Sequence, residues 1–531
     1  MNKALNQSRD KVEMLLQLGI ALSSEKELSR LLRQLLNGAL KLSNADAGTI
    51  FFMTERKTLS FAIRSRDDEL PTFELPLYDE ATGKANTQFV SVYSAVSAKT
   101  VKIDDIYSDT EHQQFNLQGT RNFDKETNYF TRSMISVPMI SRNNSVVGVM
   151  QIVNAKDPVT DELIAFEDDD VFLLESLASL GAVAIDNQRL FQSQQDLMDA
   201  FIKVLAGAID AKSPYTGGHC SRVPEIANML AEACIQDQQG PFRDYSMNQE
   251  EWREFRIAGW LHDCGKVTTP EYVVDKDAKL SCIYNRIHEV RMRFEVLRRD
   301  AEIAHLKAVM DAPEQRQQLE NDFAGQLAEL ESEFEFVAQC NVGGEFMSDE
   351  DIERLQQIAE RRWVRHFDDR AGLSNMDHMH LQDIPAKPFP CEEKLLDNKD
   401  EHIVPHASVI SNNLELETVL KKPKHLFNRG ELYNLSIQRG TLTEEERYII
   451  NDHIVQTIIM LRKLPLPYYL KRVPEIAGGH HETMIGTGYP LGLKKEELSV
   501  SARIMAIADI FEALTASDRP YKKAKTMHES L

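Results

Sequence analysis

The chain has 531 residues, 83 of them acidic and 61 basic, for a net charge of −22. That length exceeds a single hydrophobic core and argues for two or three domains. The acidic excess disfavours nonspecific binding to nucleic acid or to an anionic membrane, both of which need basic surface.

No apolar run approaches the ~18 residues of a membrane span. The opening MNKALNQSRDK lacks the apolar core of a signal peptide, so a cytoplasmic protein is expected. Cys220, Cys234, Cys264, Cys282, Cys340 and Cys391 form no CxxC pair. They fit a reducing compartment with neither a zinc knuckle nor a disulfide framework.

Residues 1–10 read as a tail. Between 11 and 43, leucines and isoleucines at helical spacing predict two helices. Strand-like runs follow at 47–53, 59–65, 100–103, 133–140 and 146–154, and the polar SRNNS between the last two predicts a hairpin. A long helix is expected from near Asp168 through Phe201, with no glycine or proline break where it leaves the domain. Residues 11–190 thus read as an α+β sensor domain with an antiparallel sheet, and 191–202 as a connecting helix. From 203 onwards the chain is expected to be all-α.

Residues 289–432 change character. Two charged helices broken at Asp311-Ala312-Pro313 predict a helical hairpin, packed on itself or on a partner protein. The proline-punctuated stretch after it reads as irregular.

Five segments carry chemistry: His219 in SPYTGGHCSRV, His262-Asp263 with Lys266 in WLHDCGKV, His453 in LTEEERYIINDH, His480-His481 in HHETMIGTGYP, and Asp509 in ARIMAIADIFEAL. Helices can project such side chains into a bundle interior, where metal sites are built. Five imidazoles and two carboxylates exceed what one four-coordinate zinc needs. They suit two ions with Asp263 between them, and the mixed N and O donors without thiolate favour iron or manganese. Two such ions make hydroxide from a shared water and clamp the oxygens of a phosphodiester. Lys266 would neutralise charge building on the phosphate.

In this order the motifs HxxR (His219, Arg222), LHDxGK, LTEEE with His453, HHExxxGxGYP and ARIxAIADxFxALTxxDRPY resemble the HD-GYP phosphodiesterases of the HD superfamily. The resemblance covers about 200–286 and 433–531, so the domain spans 203–531 with an insert at about 289–432. It implies an all-helical metal-dependent hydrolase of cyclic di-GMP. The implied ligands are His219, His262, Asp263, His453, His480, His481 and Asp509. Lys266 and Arg519 would meet phosphate, and Gly488 and Tyr489 would border the substrate.

Three positions depart from the family pattern. Tyr215 stands where trinuclear members carry a glutamate, which favours two metals. Ile485 replaces a loop aspartate, which leaves another cyclic nucleotide open as substrate, or a scaffold that keeps the metal without turnover. His288 competes with His453 for one ligand position, but only His453 keeps the family's eleven-residue step from its leucine.

Residues 11–190 resemble a GAF domain, particularly those of cyclic-nucleotide phosphodiesterases and cyclases. Asn154, Lys156, Phe166 and Asp170 match part of an NK…FxxxDE pattern, with one extra residue between the first two and Val171 in place of the glutamate. A cyclic nucleotide is the implied GAF ligand. The alternative is a dimerisation module or a sensor of another ligand. With no cysteine before 220, a covalently attached bilin is not expected. The uninterrupted connecting helix suits a homodimer that passes signals along paired helices.

Overall fold

The computed structural model describes residues 2–530 except 26, 66–72, 80, 88, 109–114, 116, 128, 213–217, 345, 407–415 and 517–525. It divides into two units, Met1–Met198 and Asp199–Leu531. Tyr215 and Arg519 lie outside the described residues. Among those described, no helix is long and apolar enough to cross a membrane.

The first unit runs α1 (Asn2–Ser24), α2 (Leu28–Ser43), β1 (Ala45–Met53), β2 (Thr58–Arg64), β3 (Leu75–Pro76), α3 (Val90–Ser97), β4 (Val101–Ile103), α4 (Gln118–Thr127), β5 (Met134–Ile140), β6 (Val146–Lys156), β7 (Leu163–Ile164) and the greater part of α5 (Asp168–Asp210), whose residues from Asp199 belong to the second unit. Its antiparallel sheet has the order β3-β2-β1-β6-β5-β4, with β7 on the end of β6. The expected β5–β6 hairpin forms, in register from Met134↔Val153 to Ile140↔Val146.

Side chains alternate across the strands, and both faces are covered. Ile50, Ile135 and Met150 pack with the leucines of α2 and with Leu174 and Leu177 of α5. Their neighbours Phe51 and Val149 pack with Val92 of α3, and Met134 packs with Val90.

The four residues expected to hold a cyclic nucleotide have structural partners here. Asn154 is buried at φ 59°. Its Oδ1 accepts from the Arg132 amide at 2.7 Å, and its Nδ2 donates to the Tyr129 hydroxyl at 2.9 Å and the Phe130 carbonyl at 2.7 Å. Lys156 pairs with Asp46 at 2.7 Å, Phe166 is in the core, and Asp170 receives Lys11 at 2.9 Å. None of the four lines the two cavities on the α3 side of the sheet, whose shared walls are Thr49, Arg64, Thr120 and Gln151. Asn154, Lys156, Phe166 and Asp170 instead hold the β5–β6 end and the start of α5 through these contacts.

The second unit contains α6 (His219–Gln236), α7 (Gln249–Leu261), a 3-10 turn (Cys264–Thr268), α8 (Glu271–Val274), α9 (Ile287–Asp311), α10 (Arg316–Val342), α11 (Asp349–Ala359), β8 (Arg362–Arg365), α12 (Asn375–His380), β9 (Cys391–Lys394), β10 (Ile403–Val404), β11 (Phe427–Asn428), α13 (Glu431–Leu435), α14 (Glu444–Lys463), α15 (Val473–Gly478), α16 (Val500–Thr515) and α17 (Met527–Ser530). The expected hairpin is α9–α10, broken at Ala312-Pro313.

The stretch after the hairpin is more ordered than its prolines suggest. α11 starts with a capping box between Ser348 and Asp351, and β8–β9 and β10–β11 pair as small ribbons. Strands of two to four residues are too short to show a period in sequence.

Phe294, Leu330, Val337, Leu355, Ile358 and Leu395 build a core for this segment, joined by Leu280 before it and Leu435 after it. Its ends meet: the Thr441 hydroxyl donates to the Lys276 carbonyl at 2.9 Å, and the Lys276 ammonium pairs with buried Glu446 at 2.7 Å.

Replacing Asn154 with alanine removes three part-buried hydrogen bonds and leaves alanine in left-handed backbone. The expected loss is about 2–4 kcal/mol, read as a lower denaturation midpoint of the first unit.

Candidate metal centre

The side chains that converge come from five places in the second unit. His219 is the first residue of α6, and Asp210 at the end of α5 accepts from the Gly218 and Cys220 amides around it. His262 caps α7, and Asp263 and Lys266 follow on the 3-10 turn. His453 lies in α14, His480 and His481 follow α15, and Asp509 is in α16.

Asp263 is the hub. Its Oδ2 is 3.2 Å from His219 Nε2, 3.3 Å from His262 Nε2 and 2.6 Å from Lys266 Nζ. Its Oδ1 is 3.3 Å from His453 Nε2 and 4.0 Å from His480 Nε2. Asp509 Oδ1 stands 3.2 Å from His219 and 3.8 Å from His262, and the Nε2 atoms of His481 and His453 are 3.3 Å apart. Two groups result that could each hold an ion: His219, His262 and Asp263, and His453, His480 and His481. His288 is exposed on α9 beside Arg291 and takes no part.

The rings are aimed by their other nitrogens. Nδ1 of His262, His453 and His480 donates to the carbonyl three residues earlier, on Gly259, Ile450 and Ala477. Nδ1 of His219 meets Glu512, which Arg222 holds at 2.8 Å. Such bonds fix the tautomer and point Nε2 inward. Inside, Nε2 of His219, His262 and His480 and Oδ1 of Asp263 are buried with no hydrogen bond. Buried polar atoms left this way are costly in a native protein unless they serve a ligand. A cluster of unsatisfied N and O donors fits divalent metal.

Electrostatics divides the imidazoles. Burial would lower His219, but Asp263, Asp509 and Glu512 outweigh it and lift it to about 11. His262, buried but beside Asp263 and Asp509, rises to about 9. Burial and then neighbouring rings push His480 down to about 4 and His481 to about 2. Burial opposes ionisation of Asp263 and Asp509. Lys266 and His262 around the first, and His219 and His262 around the second, hold both well below the usual carboxylate range.

Two glycines allow close approach. A Cβ on Gly265 would lie 1.9 Å from the His453 carbonyl, so the turn bearing Lys266 sits directly on α14, its amide donating to Thr457 at 2.9 Å. A Cβ on Gly488 would strike the Glu482 and Thr483 backbone at 2.4–2.6 Å. Gly488 therefore closes the loop, and Tyr489 stacks on His481 with ring centroids 4.9 Å apart. Ile485 is 76% exposed on that loop.

Two residues were not anticipated from sequence. Glu512 lies three residues after Asp509 on the same helix face, a spacing that could have flagged it. Glu482, the third residue of HHE, is buried and accepts the amides of Leu491, Gly492 and Leu493 at 2.7–3.1 Å. Nothing in the local pattern announces that role.

Family models described as HD domain and GAF domain match residues 390–531 and 25–186. The chain carries a GAF domain and an HD domain. The HD match begins inside the segment expected as an insert and leaves out α6 and α7. The geometry thus joins His219, His262 and Asp263 to a domain whose matched part holds the other four.

Several curated proteins resemble this GAF–HD chain. The cyclic di-GMP phosphodiesterase response regulator RpfG of Xanthomonas campestris is 52% identical over 95 residues, 18% of this chain and 25% of its own. The 3'3'-cGAMP-specific phosphodiesterase 3 of Vibrio cholerae is 41% identical over 92 residues, 17% and 19% of the two chains. The cyclic di-GMP phosphodiesterase of Thermotoga maritima is 40% identical over 94 residues, 18% and 25%. The chain spans less than half the length of these relatives. Among solved structures, the GAF domain of a Coxiella burnetii phosphoenolpyruvate-protein phosphotransferase is similar at 12% identity, covering 34% of this chain and 96% of that one with a TM-score of 0.28.

Metal ligation requires neutral imidazole. A histidine raised above its ordinary value stabilises the protonated, metal-free fold below about pH 6.5, and that contribution is lost as pH rises through its folded value. His219 and His262 therefore carry protons at pH 7.5 that metal must displace. Titrating Mn2+ at that pH should give heats that depend on the buffer's ionisation enthalpy, showing net proton release, and affinity should rise with pH.

Proposed function

We propose that this GAF–HD chain is a metal-dependent phosphodiesterase acting on cyclic dinucleotides. The observation that carries the reading is the convergence of imidazole nitrogens from four segments on the single carboxylate of Asp263, those of His219, His262 and His480 being buried with no hydrogen bond. His219, His262 and Asp509 would hold one ion, and His453, His480 and His481 the other, with Asp263 between them. Nitrogen and oxygen donors without thiolate suit iron or manganese. Bound there, two divalent ions supply the Lewis acidity that activates water and neutralises phosphate oxygens.

The chain's own residues do the rest. Lys266 adds a positive charge at the edge of the cluster, where it can meet charge developing on phosphate. Tyr489 braces the His481 ring, and the backbone held by Glu482 shapes the loop that would border the substrate. Arg519 keeps its proposed phosphate role from the sequence motif alone. Relatives are named for both cyclic di-GMP and 3'3'-cGAMP, and exposed Ile485 leaves the choice between them to experiment.

We also propose that the GAF domain regulates the site through α5 in a homodimer. Leu190, Leu197, Phe201 and Val204 form an exposed stripe at spacings of seven, four and three along that helix, while Ile202 and Ala206 on the other side are buried. This suits a paired helix. Lys212, just beyond α5, donates to the carbonyls of Lys266 at 3.1 Å and Val267 at 2.7 Å. A shift of α5 would therefore be felt at the catalytic turn.

Purified with Mn2+ or Fe2+, the protein should hydrolyse cyclic di-GMP or 3'3'-cGAMP, measured by product chromatography. Asp263→Ala should abolish turnover and metal content, and Lys266→Met should retain metal while losing about 10²-fold in kcat. Loss of both metal and turnover in Lys266→Met would contradict its assignment to the phosphate. Leu197→Glu combined with Val204→Glu should convert the dimer to a monomer in light scattering.

A further inference from the structure

A cavity of about 290 Å3 lies in the second unit between the C-terminal part of α5, the first half of α6 and the face of α7 that carries Arg253 to Trp260. That is close to the lower end of small-molecule sites. Its walls include Lys203 on α5, Asn228 on α6, and Arg253, Arg256, Ile257 and Trp260 on α7. Asp199 neutralises Arg253 across it at 2.7 Å. Lys203 and Arg256 then face the single carboxylate of Glu225, which leaves a local positive surplus in a chain whose net charge is −22. Trp260 and Ile257 give one wall an apolar and aromatic character. The Asn228 carboxamide oxygen is buried with no hydrogen bond and suits an N–H donor.

We propose that this cavity is an effector site for a planar aromatic anion of nucleoside-monophosphate size. The ring lies against Trp260 and Ile257, and the anionic group meets Lys203 and Arg256. Its location couples it to the metal centre. The helix that supplies Arg256 and Trp260 ends at His262, and the helix that supplies Asn228 begins at His219. The Pro224 ring, also in the wall, lies 3.3 Å from where a Cβ on Gly259 would stand, and the Gly259 carbonyl aims His262. An occupant holds α5, α6 and α7 at one spacing and so sets the geometry of His219 and His262. The site is independent of what the metal centre hydrolyses.

The test is calorimetric titration of the full chain with GMP, beside guanosine and inorganic phosphate. Saturable GMP binding is expected, at least about tenfold weaker in Arg256→Glu and in Lys203→Glu, the cost of one charge-assisted contact. These side chains are exposed, and circular dichroism melts check that the variants fold. Binding should persist in Asp263→Ala, where turnover is lost, which separates this site from the metal centre. Bound GMP should also change Mn2+ affinity about fivefold or more. No binding at millimolar GMP, equal affinity in both charge-reversal variants, or equally tight binding of phosphate alone overturns the site. An unchanged Mn2+ affinity overturns the effector role.

Discussion

The second unit is organised around one buried carboxylate. Asp263 is 2% exposed, and burying such a charge without compensation costs several kcal/mol. Compensation comes from Lys266 on its own turn and from histidines on three other segments. Each has to arrive within about 4 Å for the carboxylate to stay ionised. That requirement explains why Gly265 must let its turn rest on α14, and why the short α15 ends where its carbonyls aim His480. The helices are held to a carboxylate as much as to a hydrophobic core.

A layer of positioning residues surrounds the hub. Backbone carbonyls three residues upstream fix His262, His453 and His480, so the helical backbone itself chooses the tautomer. His219, as the first residue of its helix, has no upstream helical carbonyl and uses Glu512 instead, with Arg222 keeping that carboxylate in place. The HxxR motif therefore carries its own clamp beside its histidine. The loop after His481 is tied by Glu482, which leaves Tyr489 as a flat brace against the ring.

Much of this was readable before any coordinates. Residue type and order alone gathered His219, His262, Asp263, His453, His480, His481 and Asp509, because metal chemistry restricts which side chains can serve and helices restrict where they can stand. The eleven-residue step from Leu442 separated His453 from His288, which the fold leaves on the surface. Glu512 and Glu482 escaped because a glutamate on a helix or loop is ordinarily a solvated charge, and only burial distinguishes these two. In the GAF domain the partial NK…FxxxDE match has a structural side for a related reason. Asn154, Lys156, Phe166 and Asp170 satisfy backbone turns, ion pairs and core packing, needs that a pattern of residue types cannot separate from ligand binding. The ribbons between α10 and α13 were too short to announce themselves.

The segment from α9 to β11 separates the two halves of the metal centre along the chain: the Gly265 amide and its acceptor on Thr457 are 192 residues apart. Closing a loop that long costs conformational entropy before any local contact repays it. The segment offsets part of that cost with its own core around Phe294, Val337 and Leu395 and with the Lys276–Glu446 pair across its ends. The intervening segment is thus a packed body whose closed ends hold the two halves of the cluster together.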